Sequence, residues 1–153
     1  MDSRASNGFF STRTPELANT AKYKTSWWSV ELPYGWSVEE HPICTTFKCL
    51  DLQGVFQISA YRKESEVGKD EIAALADEDT EPWPVKIGTL AGVCTTHNRD
   101  GVCLRRWWLL RGRTLIFATY KGPIAKADAE IGAAENLLKT VQVRGDLISG
   151  PTL

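Results

Sequence analysis

The chain has two histidines, His41 and His97, and four cysteines, Cys44, Cys49, Cys94 and Cys103. Brought together, such groups make a cysteine–histidine nucleophile or a zinc site. Their spacing points elsewhere. The cysteines fall as C-x4-C and C-x8-C, which is neither a zinc knuckle nor a redox C-x-x-C. His41 directly precedes Pro42, and His97 adjoins the turn Asn98-Arg99-Asp100-Gly101. Both read as loop histidines. No G-x-S-x-G, H-E-x-x-H or phosphate-binding glycine loop occurs, since Gly88, Gly92 and Gly101 are isolated. The sequence therefore carries no catalytic residue, no metal site and no cofactor that it can name.

Charge is segregated. Glu64, Glu66, Asp70, Glu71, Asp77, Glu78, Asp79 and Glu81 form an acidic stretch opposed only by Lys69. No calcium-loop pattern runs through it, so it reads as a solvated face. Arg99, Arg105, Arg106, Arg111, Arg113 and Lys121 lie further on, with Trp107 and Trp108 among them. Arginine with tryptophan can hold single-stranded nucleic acid. The formal net charge of −1 argues against it, because such proteins carry a basic footprint. The same residue types also anchor protein interfaces.

Strands must position most of these groups. Ser26–Leu32 alternates, with Trp28, Val30 and Leu32 on one side and Trp27 on the other. Further strands are expected at 36–40, 43–50, 55–61 and 85–87. A meander follows at 91–97, 102–110 and 114–120. Residues 70–76 have a short amphipathic helical spacing. A longer helix is expected over 125–139, with Ile124, Ala127, Ile131, Ala134 and Leu138 on one stripe.

A two-residue turn at Gly112-Arg113 fixes the last hairpin. Leu110 then faces Leu115, Trp108 faces Phe117, and Arg106 faces Thr119. On the other side Leu109 faces Ile116, Trp107 faces Ala118, and Arg105 faces Tyr120. Both faces are apolar at their centres, so both are expected to be covered. With Arg99-Asp100 at the preceding turn, Thr96 faces Cys103 and Cys94 faces Arg105, which disfavours a disulfide between the two cysteines. Trp28 and Trp108 fit the core by phase, and Trp36 belongs to a turn. Trp27, Trp83 and Trp107 are the surplus. With Arg105 and His97 they form the expected binding surface.

The 153 residues suit one domain, and 42% of them are hydrophobic. The folded unit is expected at 23–144, with a flexible leader at 1–22 and a tail at 145–153. No run of 18 apolar residues is present, so no membrane span is expected. With no secretory signal and sparse cysteine, the expected location is cytoplasmic.

The stretch Trp28-Ser29-Val30-Glu31-Leu32-Pro33-Tyr34-Gly35-Trp36 carries a strand into a Leu-Pro-x-Gly-Trp turn. A strand ending near Gln57-Ile58-Ser59 follows, and the chain closes on Leu137-Leu138-Lys139-Thr140-Val141. This order resembles the PsbP-like and DcrB-like α/β superfamily over roughly residues 26–143. The resemblance implies an α+β fold, an antiparallel sheet flanked by helices on both faces. It also implies a largely non-enzymatic group that includes photosystem accessory proteins, adaptors and bacterial proteins. The motif supplies a turn and no site residue.

The expected function is a non-enzymatic protein-binding module of adaptor, chaperone or immunity type. Its partner is a protein, with a homodimer among the options, and nucleic acid is not expected. The alternative is a small-ligand binder or enzyme whose pocket uses the same aromatics with Arg105 or His97.

Overall fold

The computed structural model describes residues 20–64 and 81–144. The expected helix at 70–76, most of the acidic stretch, most of the leader and the tail lie outside the described residues. Ten strands and one helix are seen among them: β1 (Thr20–Lys24), β2 (Trp28–Pro33), β3 (Trp36–Glu40), β4 (Thr45–Cys49) and β5 (Val55–Arg62). From residue 81 onward come β6 (Trp83–Ile87), β7 (Leu90–Arg99), β8 (Val102–Arg111), β9 (Thr114–Pro123), α1 (Ile124–Leu138) and β10 (Gln142–Val143).

The strands form two antiparallel sheets. The larger has seven strands in the order β3-β4-β5-β9-β8-β7-β6, and the smaller has three in the order β1-β2-β10. The β8–β9 hairpin has the register expected from its turn, with Trp107 opposite Ala118, Trp108 opposite Phe117 and Arg105 opposite Tyr120. The β7–β8 hairpin differs from expectation by two residues on one strand: Asn98 faces Cys103, Thr96 faces Arg105 and Cys94 faces Trp107. The reason is the turn. Asp100 and Gly101 both have positive φ, 54° and 79°, so Asp-Gly makes the two-residue loop.

One face of the large sheet, the inner face, carries Phe47, Phe56, Ile58, Trp107, Leu109, Ile116, Ala118 and Tyr120 into a single core. Ala127, Ile131, Ala134, Leu137 and Leu138 of α1 join that core, as do Trp28, Val30 and Leu32 of β2. The alternation in β2 and the three–four spacing in α1 put these side chains there. A second cluster on the opposite face holds Trp108 and Leu115 with Val93, Leu110 and Phe117. Both faces of the hairpin are therefore apolar and buried at their centres, as its register implies.

The α+β arrangement with helices on both faces is incorrect. The described residues are mostly β, with one helix, and that helix shares the inner face with a second sheet. The small sheet was hidden because β10, far along the chain, pairs with one side of β2, and the neighbouring strand that pairs with its other side, β1, carries little apolar signal. β1 itself is mostly polar. Only Ala21 and Tyr23 turn inward, between exposed Lys22 and Lys24, and it begins at Thr20, inside the segment read as leader.

Candidate functional site

The structure gathers three of the five expected surface residues and separates the other two. On the inner face, the Arg105 guanidinium carbon lies 5.1 Å from the Trp83 ring centre and 5.8 Å from that of Trp107. Arg105 Nε donates to Thr96 Oγ1 at 2.5 Å, and Nη1 meets Glu135 Oε2 at 3.4 Å. Trp107 Nε1 donates to the same carboxylate oxygen at 3.1 Å. Register explains the convergence, since Thr96 is opposite Arg105, and Trp83 and Trp107 flank Cys94. Trp107 is 0% exposed, so it belongs to the core. Phase had separated Trp107 from Trp108 correctly, but both faces are core and both rings are buried.

This cluster is satisfied from within the chain. A cation over tryptophan faces, a shared carboxylate and a buried indole donor together fasten α1 to the large sheet. His97 is on the other face, opposite Leu104. Trp27 is in the β1–β2 turn, a different part of the fold.

That turn forms one wall of a cleft. Thr25 builds it: its N–H reaches the Trp28 carbonyl at 2.8 Å, and its Oγ1 accepts the Trp27 and Trp28 N–H groups at 3.2 and 3.0 Å. The cleft has a volume of about 290 Å³ and runs between this turn, the β3–β4 hairpin tip at Glu40–Thr45, and Ile58–Ala60 of β5. Pro42 and Ile43 are the tip, closed by the His41 N–H on the Cys44 carbonyl at 2.8 Å. Ile43 is 80% exposed and Trp27 37% exposed.

Inside the cleft the Tyr23 hydroxyl donates to Glu40 Oε2 at 2.6 Å. Burial, with the nearby Glu40 carboxylate, pushes this phenol up to about 12, so it stays a donor. His41 Nε2 meets Thr46 Oγ1 at 3.1 Å and lies 3.9 Å from Glu39 Oε1. No hydrogen bond joins it to the Cys44 side chain among the described residues. Nor do three or more His, Cys, Asp or Glu side chains among them converge as metal ligands.

Arg62, next beyond Ala60 on the inner face of β5, borders the cleft. Its guanidinium carbon is 5.1 Å from the Trp27 ring centre. Its Nη2 donates to the Arg144 carbonyl at 2.5 Å, and Arg144 Nη1 donates to the Thr25 carbonyl at 2.6 Å. Tyr23, Arg62, Ile43 and Arg144 escaped the sequence reading. The alternation of Ala21 and Tyr23 with two lysines was the available signal for the first. Nothing local marks the others, because strands distant in sequence bring them together.

A second cleft, of about 490 Å³, lies at the other end of the β3–β4 hairpin, between Gly35, Lys48, Leu50, Leu52 and Val55. It is apolar and has neither Trp nor Arg in its walls.

No protein-family model matches the sequence, and no curated protein matches it. Solved structures do. A protein of Bacteroides thetaiotaomicron VPI-5482, known from a crystal structure, is similar with a TM-score of 0.64 and 21% identity. The match covers 84% of this chain and 50% of that one, so this chain spans half the length of that protein. At this identity the likeness establishes the fold. The solution structure of cyanobacterial PsbP (CyanoP) from Synechocystis sp. PCC 6803 has a TM-score of 0.46 and 11% identity, covering 91% of this chain and 98% of that one. This is a weak, fold-level resemblance to PsbP. No helix among the described residues is long and apolar enough to cross a membrane.

Proposed function

We propose that this protein is a non-enzymatic binding module that docks a protein partner along the Trp27 cleft. The observation carrying this reading is the pair of exposed apolar side chains, Trp27 and Ile43, on opposite walls of one open cleft. Tryptophan is enriched among the anchors of protein interfaces, and removing such a ring from water on docking is strongly favourable. The form of the cleft favours a polypeptide over a small molecule. Enclosed ligand pockets usually span roughly 300–1,000 Å³ and cover most of the ligand. This cleft is at the bottom of that range and open, which suits a few side chains of a partner.

The two-tryptophan cluster at Arg105 is the weaker candidate. Its ring and charge are already engaged by Thr96 and Glu135, so a ligand would have to displace internal bonds.

The test is affinity capture from the native host, followed by remixing with the purified partner. Trp27→Ala combined with Ile43→Ser should weaken that complex at least about tenfold while thermal unfolding stays close to wild type. Retained affinity in the double variant, with the fold intact, rejects the cleft as the docking site.

A further inference from the structure

Arg62 and Arg144 place two guanidinium groups around the β1–β2 turn with no carboxylate on either among the described residues. Arg62 Nε donates to Thr114 Oγ1 at 3.2 Å, its Nη2 to the Arg144 carbonyl, and its planar group faces the Trp27 ring. Arg144 gives Nη1 to the Thr25 carbonyl and its backbone N–H to the Trp27 carbonyl at 2.6 Å. Every acceptor among the described residues is neutral. Arg105 and Lys48, by contrast, do have acids: Arg105 meets Glu135, and Lys48 meets Glu39 at 2.9 Å.

Half-burying the Arg62 guanidinium among neutral groups carries a desolvation cost that no carboxylate among the described residues offsets. Neutral carbonyls fix the guanidinium positions without cancelling either charge. Several N–H donors on each group have no partner among the described residues. A guanidinium held in a fixed orientation is suited to a carboxylate, which it can grip with two parallel bonds. Little conformational entropy is then lost on binding, because Trp27, Thr25 and Thr114 have already ordered the side chains.

We infer that Arg62 and Arg144 form a carboxylate-binding site that receives an acidic segment of the partner docked along the Trp27 cleft. The inference rests on the docking reading above and adds the chemistry of the partner. Trp27 and Ile43 supply the apolar contacts of that segment, and the two arginines select Asp or Glu side chains at one end of the cleft.

The experiment measures fluorescence anisotropy of a fluorescein-labelled peptide of alternating Glu and Leu. The controls are its Gln–Leu counterpart and inorganic phosphate as competitor. The acidic peptide should bind saturably and lose affinity as salt rises, and the Gln peptide should bind at least about tenfold more weakly. Arg62→Lys and Arg144→Lys keep the charge but lose the planar fork. Each should weaken the acidic peptide about threefold or more with little change in melting temperature, whereas exposed Arg111→Ala should change nothing.

Equal affinity for the two peptides, or equal losses at Arg111, overturns the inference. If both peptides bind equally and Trp27→Ala abolishes both, the cleft reading survives and the arginine site falls. If the acidic peptide needs the arginines but not Trp27 or Ile43, the cleft reading falls instead. Phosphate competing as tightly as the peptide overturns the carboxylate assignment. Self-association that Arg62→Lys abolishes assigns the pair to a second copy of this chain and also overturns it.

Discussion

Trp107 Nε1 donates to Glu135 Oε2 across 3.1 Å, joining the middle of the large sheet to α1. Arg105 shares that oxygen at 3.4 Å, so one carboxylate serves a buried indole and a half-buried cation. The bond explains why this ring is fully buried despite its polar edge: a buried donor must find a partner.

Trp107→Phe keeps most of the apolar area and removes the donor. It should cost about 1.5–3 kcal/mol, the range for a hydrogen bond to a charged group. Trp107→Ala should cost about 3–5 kcal/mol through the added cavity. Glu135→Ala removes the acceptor; it should be milder than Trp107→Ala, and its effect should overlap with that of Trp107→Phe rather than add to it. Urea unfolding of the two single variants and the double variant measures the coupling. Full additivity would reject a working bond.

Legibility in the sequence followed the range of the interactions. The β8–β9 register was readable because Gly112 and its neighbour set it locally, and every opposing pair from Arg105 to Leu110 followed. The β7–β8 register was missed by two residues because the turn was centred one residue early, on Arg99-Asp100, whereas the loop needs two positive φ angles and takes Asp100-Gly101. Phase told Trp107 from Trp108 but not surface from core, since a sheet buried on both faces makes both phases internal. The strand β2 was legible, but the pairing that makes it the centre of a small sheet was not. Pairing β2 with β10 joins Trp28 to Val143 across most of the chain, and no local pattern records such a contact. The candidate cleft was missed for another reason: its walls come from five consecutive strands, β1 to β5, whose folding together no periodicity within one strand records.

Glu130 gives the stability a pH dependence. It is 5% exposed and accepts bonds from the Gln53 N–H at 2.7 Å, the Gly54 N–H at 2.9 Å and the Tyr120 hydroxyl at 2.6 Å. Burial alone would raise its carboxyl, but the Gln53, Tyr120 and Gly54 donors outweigh that and hold it below the usual range. A depressed folded value means the contribution is complete above the unfolded value of about 4.3 and is lost as pH falls through the folded one. Glu130→Gln should therefore cost about 2–3 kcal/mol at neutral pH, and the gap to wild type should close as pH drops below about 4. Urea unfolding across that range checks it. A gap that widens toward acid would reverse the sign and sink the argument.

The four thiols should divide into two pairs. All are free, with Cys94 and Cys103 buried and Cys44 and Cys49 half-buried. Burial pushes the Cys94 thiol up to about 12, against a smaller opposing pull from Arg105, and burial raises Cys103 as well. The thiolate is the reactive form, so these two lose on both ionisation and access. Reaction of the native protein with a thiol-specific disulfide reagent should release a fast phase from Cys44 and Cys49. A slow phase should follow, limited by opening of the sheet. Cys44→Ser and Cys49→Ser should each remove part of the fast phase only. Adding denaturant should merge the phases, because unfolding returns all four thiols to water and to one ordinary ionisation range. A single phase in the native protein would place Cys94 and Cys103 within reach of solvent and contradict the packing of β7 and β8 on the inner face.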